Sequence, residues 1–240
     1  MTGFWLKMLA AFCMLLDHTG AFLFPDALWL RCVGRISFPI FAYFIAEGYR
    51  YTRSFRAYFL RIFGCALLFQ VGNLISGFPL MFSVFVTFSL SLLLMRLCDL
   101  LREAAGTQDA KKTGTFFLLL VLFLFGCFAL CSSVYVEYGF VGIITPSVLA
   151  LFAEKRKKLI SLAACLLVLC IESYLAFGIP VQIFSFVALI PLSFYNEKPG
   201  RYRWKYFFYI FYPLHLIILA GIAALLGVFP DIYNKIGSLV

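Results

Sequence analysis

Hydrophobic and polar positions along the chain fall into long blocks rather than into short alternating periods. Nine apolar segments, each of spanning or near-spanning length, are separated by short polar connections. A helix needs about 20 apolar residues to cross the hydrocarbon core of a bilayer. The pattern therefore predicts an all-α, polytopic membrane bundle of about nine transmembrane helices. The segments lie at residues 4–24, 33–49, 57–77, 80–98, 114–133, 138–153, 159–177, 180–195 and 206–228.

Composition supports a membrane protein and leaves no room for a soluble domain. Hydrophobic residues make up 64% of the chain and charged residues 13%, and the mean hydropathy is +0.99. All three values are far from those of soluble proteins. The first segment has no small-residue cleavage site after it, so we expect it to remain in the mature protein. We predict a single integral-membrane domain over residues 1–240.

Neither the cysteines nor the net charge points to another class of protein. Most of the eight cysteines lie in or at the ends of apolar segments, with no zinc-like or disulfide-like spacing. The net charge of +9 comes from basic residues scattered among short loops, unlike the concentrated basic surface of a nucleic-acid-binding domain. We therefore expect no metal and no nucleic-acid partner.

The distribution of basic residues predicts the orientation of the bundle. If nine spans alternate and the N-terminus is cytoplasmic, 17 of the 20 Lys and Arg residues fall on the cytoplasmic side. Only Arg31, Arg35 and Lys235 fall on the outer half. Cytoplasmic loops of membrane proteins carry such an excess of positive charge, so we predict a cytoplasmic N-terminus.

Two adjacent ionisable residues, Asp17 and His18, interrupt the first apolar segment. Ionisable groups near mid-depth are costly and usually functional. Lys7 lies eleven steps before His18, on nearly the same helix face and roughly 16 Å away along the axis. The spacing suits an elongated ligand with an anionic head at Lys7. The alternative, which is the commoner one for a lone membrane lysine, is that Lys7 snorkels to the lipid headgroups and His18 bonds a neighbouring helix. Asp17 points about 100° away from His18, toward another helix.

Further polar residues are predicted to lie inside the bundle. Arg35 could reach Asp17, and such a pair could be purely structural because each charge makes the other tolerable in lipid. Glu172 and His215 are predicted near the depth of His18, and several converging groups favour a site or a proton path. The candidate set is completed by Arg31, Glu47 and Tyr212.

Three stretches of sequence stand out as motifs: LKMLAAFCMLLDH at residues 6–18, GRISFPIFAYFIAEGYRYTR at residues 34–53 and YFFYIFYPLHLIIL at residues 206–219. They resemble the TraX-like family of membrane acetyltransferases, which is named for the F-pilin N-acetylase. The first stretch also resembles the opening of the acyltransferase-three superfamily, in which an arginine, ten residues and a histidine mark the catalytic helix. Here Lys7 stands in the place of that arginine, and His18 matches the histidine.

The resemblance implies a multi-pass enzyme of the bacterial cytoplasmic membrane that moves an acetyl group from the cosubstrate acetyl-CoA to an acceptor. The acceptor would be an amine or a hydroxyl, on a pilin-like protein N-terminus or an envelope glycan. His18 would act as general base or carry the acetyl group itself. Asp17 or Glu172 would orient the imidazole. Lys7, Arg31 and Arg35 would neutralise anionic groups of the cofactor or complete a charge network. An oligomer is compatible with the sequence.

Two alternatives from other functional classes remain open. In a proton-coupled transporter the same buried groups would relay protons without covalent chemistry, but the sequence shows no inverted repeats of the kind common in such proteins. In a scaffold for pilus or envelope assembly, the buried charges would serve packing alone.

Overall fold

The computed structural model describes residues 1–75, 81–107, 109–178, 180–200 and 207–228, apart from the side chain of Phe177. Helices dominate, which confirms the predicted all-α class. A pair of two-residue strands and one 3₁₀ helix complete the described elements. In chain order these are α1 (Gly3–Phe22), α2 (Leu28–Gly34), α3 (Ser37–Tyr51), α4 (Phe55–Ile75), β1 (Met81–Phe82), α5 (Val84–Gly106), α6 (Ala110–Ser133), β2 (Tyr135–Val136), α7 (Gly139–Ala150), α8 (Lys155–Phe177), the 3₁₀ helix (Pro180–Ala188), α9 (Leu189–Ser193) and α10 (Phe207–Leu225).

Six helices in the described part of the chain are long and apolar enough to cross a membrane. They are Leu28–Tyr51, which comprises α2, a two-residue turn and α3, followed by Phe55–Ile75, Val84–Gly106, Ala110–Ser133, Lys155–Ala176 and Phe207–Leu225. The other three predicted spans correspond to α1, which is 20 residues long but carries Lys7, Asp17 and His18, and to two shorter apolar stretches, Gly139–Ala150 and Pro180–Ser193. The count of nine spans and the cytoplasmic N-terminus stay predictions.

The chain divides into two compact units, one formed by Met1–Phe44 with Phe152–Val240 and the other by Ile45–Leu151. The prediction of a single membrane domain over residues 1–240 stays a prediction. All the contacts of Asp17 and His18 described below lie within the first unit.

In the first unit, α1 packs against both α2 and α10. The approach to α2 is close because Gly20 of α1 has no side chain: a Cβ atom there would lie 2.8 Å from the Cβ of Leu30. Small residues allow such close packing between membrane helices. Pro25 follows the end of α1, and it cannot continue a helix. The chain therefore turns back within five residues to begin α2 at Leu28.

The first backbone N–H groups of α1 form hydrogen bonds with residues that lie far away in the sequence. The N–H groups of Gly3 and Phe4 donate to the carbonyl oxygens of Lys198 and Pro199 at 2.8 and 3.0 Å. The first N–H groups of a helix have no partner within the helix itself. The segment before α10 thus supplies those acceptors and holds the N-terminal turn of α1 in place.

In the second unit, α5 packs against α4, α6 and α7. The sequence pattern predicted this helix from residue 80, but the helix begins at Val84. Glu137, which follows β2, explains the difference: its carboxylate accepts a hydrogen bond from the Val84 N–H at 2.8 Å. A negative charge at a helix N-terminus is stabilising. Residues Met81 and Phe82 meanwhile pair in parallel with Tyr135 and Val136.

Substitution at Gly20 tests the close packing of α1 on α2. We expect Gly20→Ala to lower the free energy of unfolding by about 1–3 kcal/mol, because the added methyl group overpacks a filled interface. Gly221→Ala on α10 is the matched control, since a Cβ there meets nothing within 4 Å. Thermal unfolding of both variants in the same detergent provides the measurement. An unfolding midpoint for Gly20→Ala equal to that of Gly221→Ala contradicts the close approach.

Candidate functional site

His18 of α1 and His215 of α10 form the centre of the candidate site, although 197 positions separate them in the sequence. A hydrogen bond of 2.7 Å joins Nδ1 of His18 to Nε2 of His215. The ring centroids lie 5.0 Å apart and the ring planes are inclined by only 26°, so the two rings meet edge to edge through this bond. His215 is only 4% exposed, whereas His18 is partly exposed. His18 is thus the more accessible of the two imidazoles.

The position of His215 is fixed from its own helix. Its Nδ1 lies 2.7 Å from the carbonyl oxygen of Phe211, one turn earlier, and its ring stacks on the Phe211 ring with centroids 4.9 Å apart. The ring of Tyr212 meets both imidazoles edge-on, with centroid distances of 6.0 Å to His18 and 5.6 Å to His215. Aromatic side chains thus enclose the histidine pair and limit its freedom.

Asp17 faces away from its neighbour His18 and binds two arginines. The Arg35 Nη2 atom lies 2.8 Å from both carboxylate oxygens of Asp17, and Nη1 of Arg31 lies 3.0 Å from Oδ1. Nη1 of Arg31 also donates to the backbone carbonyl of Asp17 at 3.0 Å. The predicted contact between Arg35 and Asp17 is confirmed. This ion-pair cluster accounts for the burial of the Asp17 carboxylate without a ligand, because the two partly buried guanidiniums neutralise its charge.

Backbone packing brings the arginines to Asp17. Gly34 at the end of α2 lies directly against the Asp17 side chain, where any Cβ would overlap the carboxylate. Arg31 and Arg35 flank this glycine one helical turn apart, so both guanidiniums reach the same carboxylate. The expected orienting role of Asp17 toward His18 is not seen, because its carboxylate is taken up by Arg31 and Arg35. The structure places His215 against the imidazole instead.

The remaining predicted residues lie elsewhere. The Lys7 ammonium stands over the Phe44 ring, 4.7 Å from its centroid, on the same uninterrupted helix as His18. Glu172 lies on an exposed face of α8, and among the described residues no hydrogen bond joins it to either histidine. Glu47 is buried in the second unit. The binding roles predicted for Lys7, Arg31 and Arg35 stay predictions.

Two buried polar residues of the 3₁₀ helix, Gln182 and Ser185, were not predicted from the sequence. Gln182 is buried, and its amide nitrogen has no hydrogen-bond partner within the described ranges. It lies on the 3₁₀ helix, which packs against α2 and α8. The available signal was a pair of polar residues, Gln182 and Ser185, three positions apart in a mostly apolar segment. The described part of the chain contains no group of three or more His, Cys, Asp or Glu side chains that could hold a metal ion together.

The ion-pair cluster can be tested by removing its only carboxylate. We expect Asp17→Asn to lower the free energy of unfolding by about 3 kcal/mol, because breaking a buried pair leaves uncompensated charge. The second change Arg35→Met should recover part of this loss, since it removes one of the two unpaired guanidiniums. Thermal unfolding in detergent is again suitable.

Glu154→Gln provides a control for the same chemical change at an exposed pair. Glu154 and Lys157 are 55% and 63% exposed at their side chains, and such pairs contribute less than about 1 kcal/mol. A loss for Asp17→Asn no greater than that for Glu154→Gln contradicts a stabilising role for the cluster.

Comparison with known proteins agrees with the motifs at both ends of the chain. Residues 3–223 match the protein family described as TraX protein. A probable fimbrial assembly protein FimC, serogroup H1, of Dichelobacter nodosus is 28% identical over 244 residues, covering 92% of this chain and 95% of that protein. An uncharacterized protein of Rickettsia prowazekii (strain Madrid E) is 41% identical over 46 residues, which are 19% of this chain and 18% of that protein. No solved structure matches the chain significantly. The family match covers nearly the whole sequence and includes every residue of the histidine pair and the ion-pair cluster, so the chain belongs to the TraX family.

Proposed function

We propose that this protein is a membrane-embedded acyltransferase that moves an acetyl group from acetyl-CoA to an amine or hydroxyl acceptor. The observation that carries the proposal is the hydrogen bond between a partly exposed His18 and a buried His215. An imidazole held in place by a second group and open to a ligand has the geometry of a general base. The resemblance to the TraX-like acetyltransferases supports the same reaction.

His18 would take a proton from the acceptor while the acceptor attacks the thioester carbonyl of acetyl-CoA. The acceptor nitrogen or oxygen forms a bond to the acetyl carbon, the carbonyl electrons move to oxygen, and His18 takes the acceptor's proton. When the tetrahedral intermediate collapses, the bond from carbon to sulfur breaks and the CoA thiolate receives that proton. The products are the acetylated acceptor and CoA, and His18 returns to its starting state. Transient acetylation of His18 itself is the other route.

The ion-pair cluster supports this chemistry indirectly. Asp17 adjoins His18 in the sequence, but Arg31 and Arg35 already occupy its carboxylate. A carboxylate that is neutralised in this way can remain buried beside the base without competing for the acceptor's proton. The cluster also anchors α2 to the part of α1 that carries His18.

Acetyl-CoA is proposed to enter from the cytoplasm, where the positive-inside rule places the N-terminus in a nine-span arrangement. Lys7 would then lie at the cytoplasmic mouth, roughly 16 Å from His18 along the continuous helix α1. A CoA phosphate near Lys7 and a thioester near His18 would match an elongated cofactor. The pantetheine arm would pass along the same face of α1.

The acceptor is proposed to be a protein of fimbriae or pili. A relative over nearly the full length is named as a probable fimbrial assembly protein, which favours a protein amine over an envelope glycan. The same name also supports a second candidate function, an assembly role without catalysis. In that case His18 would be needed for packing only.

Acetyl transfer by purified protein separates the two functions. With labelled acetyl-CoA and a panel of peptide amines and hydroxyl acceptors, we expect His18→Ala to lower the transfer rate by about 10²–10⁴-fold, the usual contribution of a general base. Phe12→Leu is the control, because Phe12 lies on an exposed face of the same helix. Failure of the wild-type protein to label any acceptor contradicts the acyltransferase. Equal rates for wild type and a folded His18→Ala protein exclude the role of His18.

The proposed topology has its own test. An odd number of spans puts the two ends of the chain on opposite sides of the membrane, so a reporter fused after Val228 should lie outside the cytoplasm. Alkaline phosphatase, which is active only outside the cytoplasm, should be active at this position and inactive when it replaces the connection around residue 108. The prediction of nine spans with a cytoplasmic N-terminus is contradicted if the fusion near residue 108 is active and the fusion after Val228 is not, or if both fusions are inactive.

A further inference from the structure

We propose that His215 is a positioning residue that fixes the tautomer of His18, so that Nε2 of His18 is the atom that takes the proton from the acceptor. The inference rests on the proposed acyltransferase activity for its catalytic consequence. The assignment of the tautomers follows from hydrogen bonds alone, and it can be measured without any acetyl transfer.

The hydrogen bond between His215 and the backbone of Phe211 determines the tautomer of His215. Nδ1 of His215 lies 2.7 Å from the carbonyl oxygen of Phe211. A carbonyl oxygen can only accept a hydrogen bond. Nδ1 of His215 must therefore carry a hydrogen and donate it to Phe211.

The hydrogen bond between the two rings then determines the tautomer of His18. A neutral imidazole carries one hydrogen, so a neutral His215 that is protonated on Nδ1 has a lone pair on Nε2. That Nε2 lies 2.7 Å from Nδ1 of His18. His18 must then donate from Nδ1, and its own lone pair is left on Nε2. The neutral form of His215 is the one expected here, because burying an imidazolium among aromatic rings is costly.

This tautomer has a consequence for the reaction. When His18 receives a proton on Nε2, its Nδ1–H continues to donate to His215, which helps to stabilise the positive charge. An orienting partner of this kind is known to matter: in serine proteases, loss of the correct histidine tautomer lowers the rate by about 10⁴-fold. There a carboxylate orients the base, whereas here a second imidazole does so and a backbone carbonyl orients that imidazole in turn.

The aromatic side chains around the pair contribute to this arrangement. Phe211 stacks on the His215 ring, and Tyr212 meets both rings edge-on. Tilting either imidazole out of its plane would break these contacts. The packing therefore holds the ring planes, and the hydrogen bonds from His18 to His215 and from His215 to Phe211 set the direction of the chain.

Nitrogen NMR can determine the tautomers directly, because the chain contains only 2 histidines. Protein labelled with ¹⁵N-histidine and purified in detergent should show both rings with a protonated Nδ1 and an unprotonated Nε2. It should also show a coupling across the hydrogen bond between Nδ1 of His18 and Nε2 of His215. The variant His215→Gln assigns the His18 signals. A hydrogen on Nε2 of His18 together with a bare Nδ1 would overturn the proposal.

Two substitutions of His215 test the catalytic consequence. The Gln side-chain oxygen can take the place of the Nε2 acceptor, so His215→Gln should keep kcat within about tenfold of wild type. His215→Met fills similar space without a strong acceptor, and should lower kcat by about 10²-fold or more while KM for acetyl-CoA is unchanged. Unfolding midpoints of both variants show whether the fold is retained. Equal loss of kcat in the two folded variants would overturn the positioning role.

Failure of this proposal is distinguishable from failure of the proposed function. If wild-type protein transfers no acetyl group, the acyltransferase proposal fails, and the NMR spectrum still decides the tautomers. If wild type is active but His215→Gln and His215→Met behave alike, only the role of His215 fails. Should the two variants not fold in detergent, the spectrum of the wild-type protein alone determines which nitrogen of His18 holds the hydrogen.

Discussion

Two adjacent polar residues of α1 must find partners inside an apolar protein, and the architecture around them follows from this constraint. Asp17 and His18 are neighbours in the sequence, so their side chains leave the helix about 100° apart. They are consequently satisfied by different helices. Asp17 receives Arg31 and Arg35 from α2 and the residue that follows it, and His18 receives His215 from α10. Burying either residue without its partner would cost several kcal/mol.

This division separates stability from chemistry along a single helix. The ion-pair cluster is closed, because both oxygens of Asp17 contact a guanidinium. The histidine pair is open on one side, because His18 is partly exposed while His215 is buried. Small residues make the ion-pair cluster possible: Gly20 and Gly34 allow α1 and α2 to approach so closely that the arginines reach Asp17. The ion-pair cluster on one side of α1 thus supports the proposed base, His18, on the other.

Some of this arrangement could be predicted from the sequence and some could not. The contact of Arg35 with Asp17 was predictable, because a short turn joins their helices and a buried carboxylate needs a cation. The direct bond between His18 and His215 was not, since nothing in the sequence says that the first and last helices pack side by side. The exposed position of Glu172 was not predictable, because residues 159–171 of α8 are almost entirely apolar and show no polar stripe that would mark which face is buried. The start of α5 at Val84 depended on Glu137, 53 positions away, which no local pattern reveals.

The central claim is that His18 and His215 act as one chemical unit in acetyl transfer. The most direct measurement is the transfer rate of the double variant His18→Ala, His215→Ala beside the two single variants, in folded protein with labelled acetyl-CoA. Residues that act as a unit give strongly non-additive losses. We predict that the double variant is no slower than His18→Ala alone, because His215 works only through His18. Losses that multiply between the two positions would contradict the account.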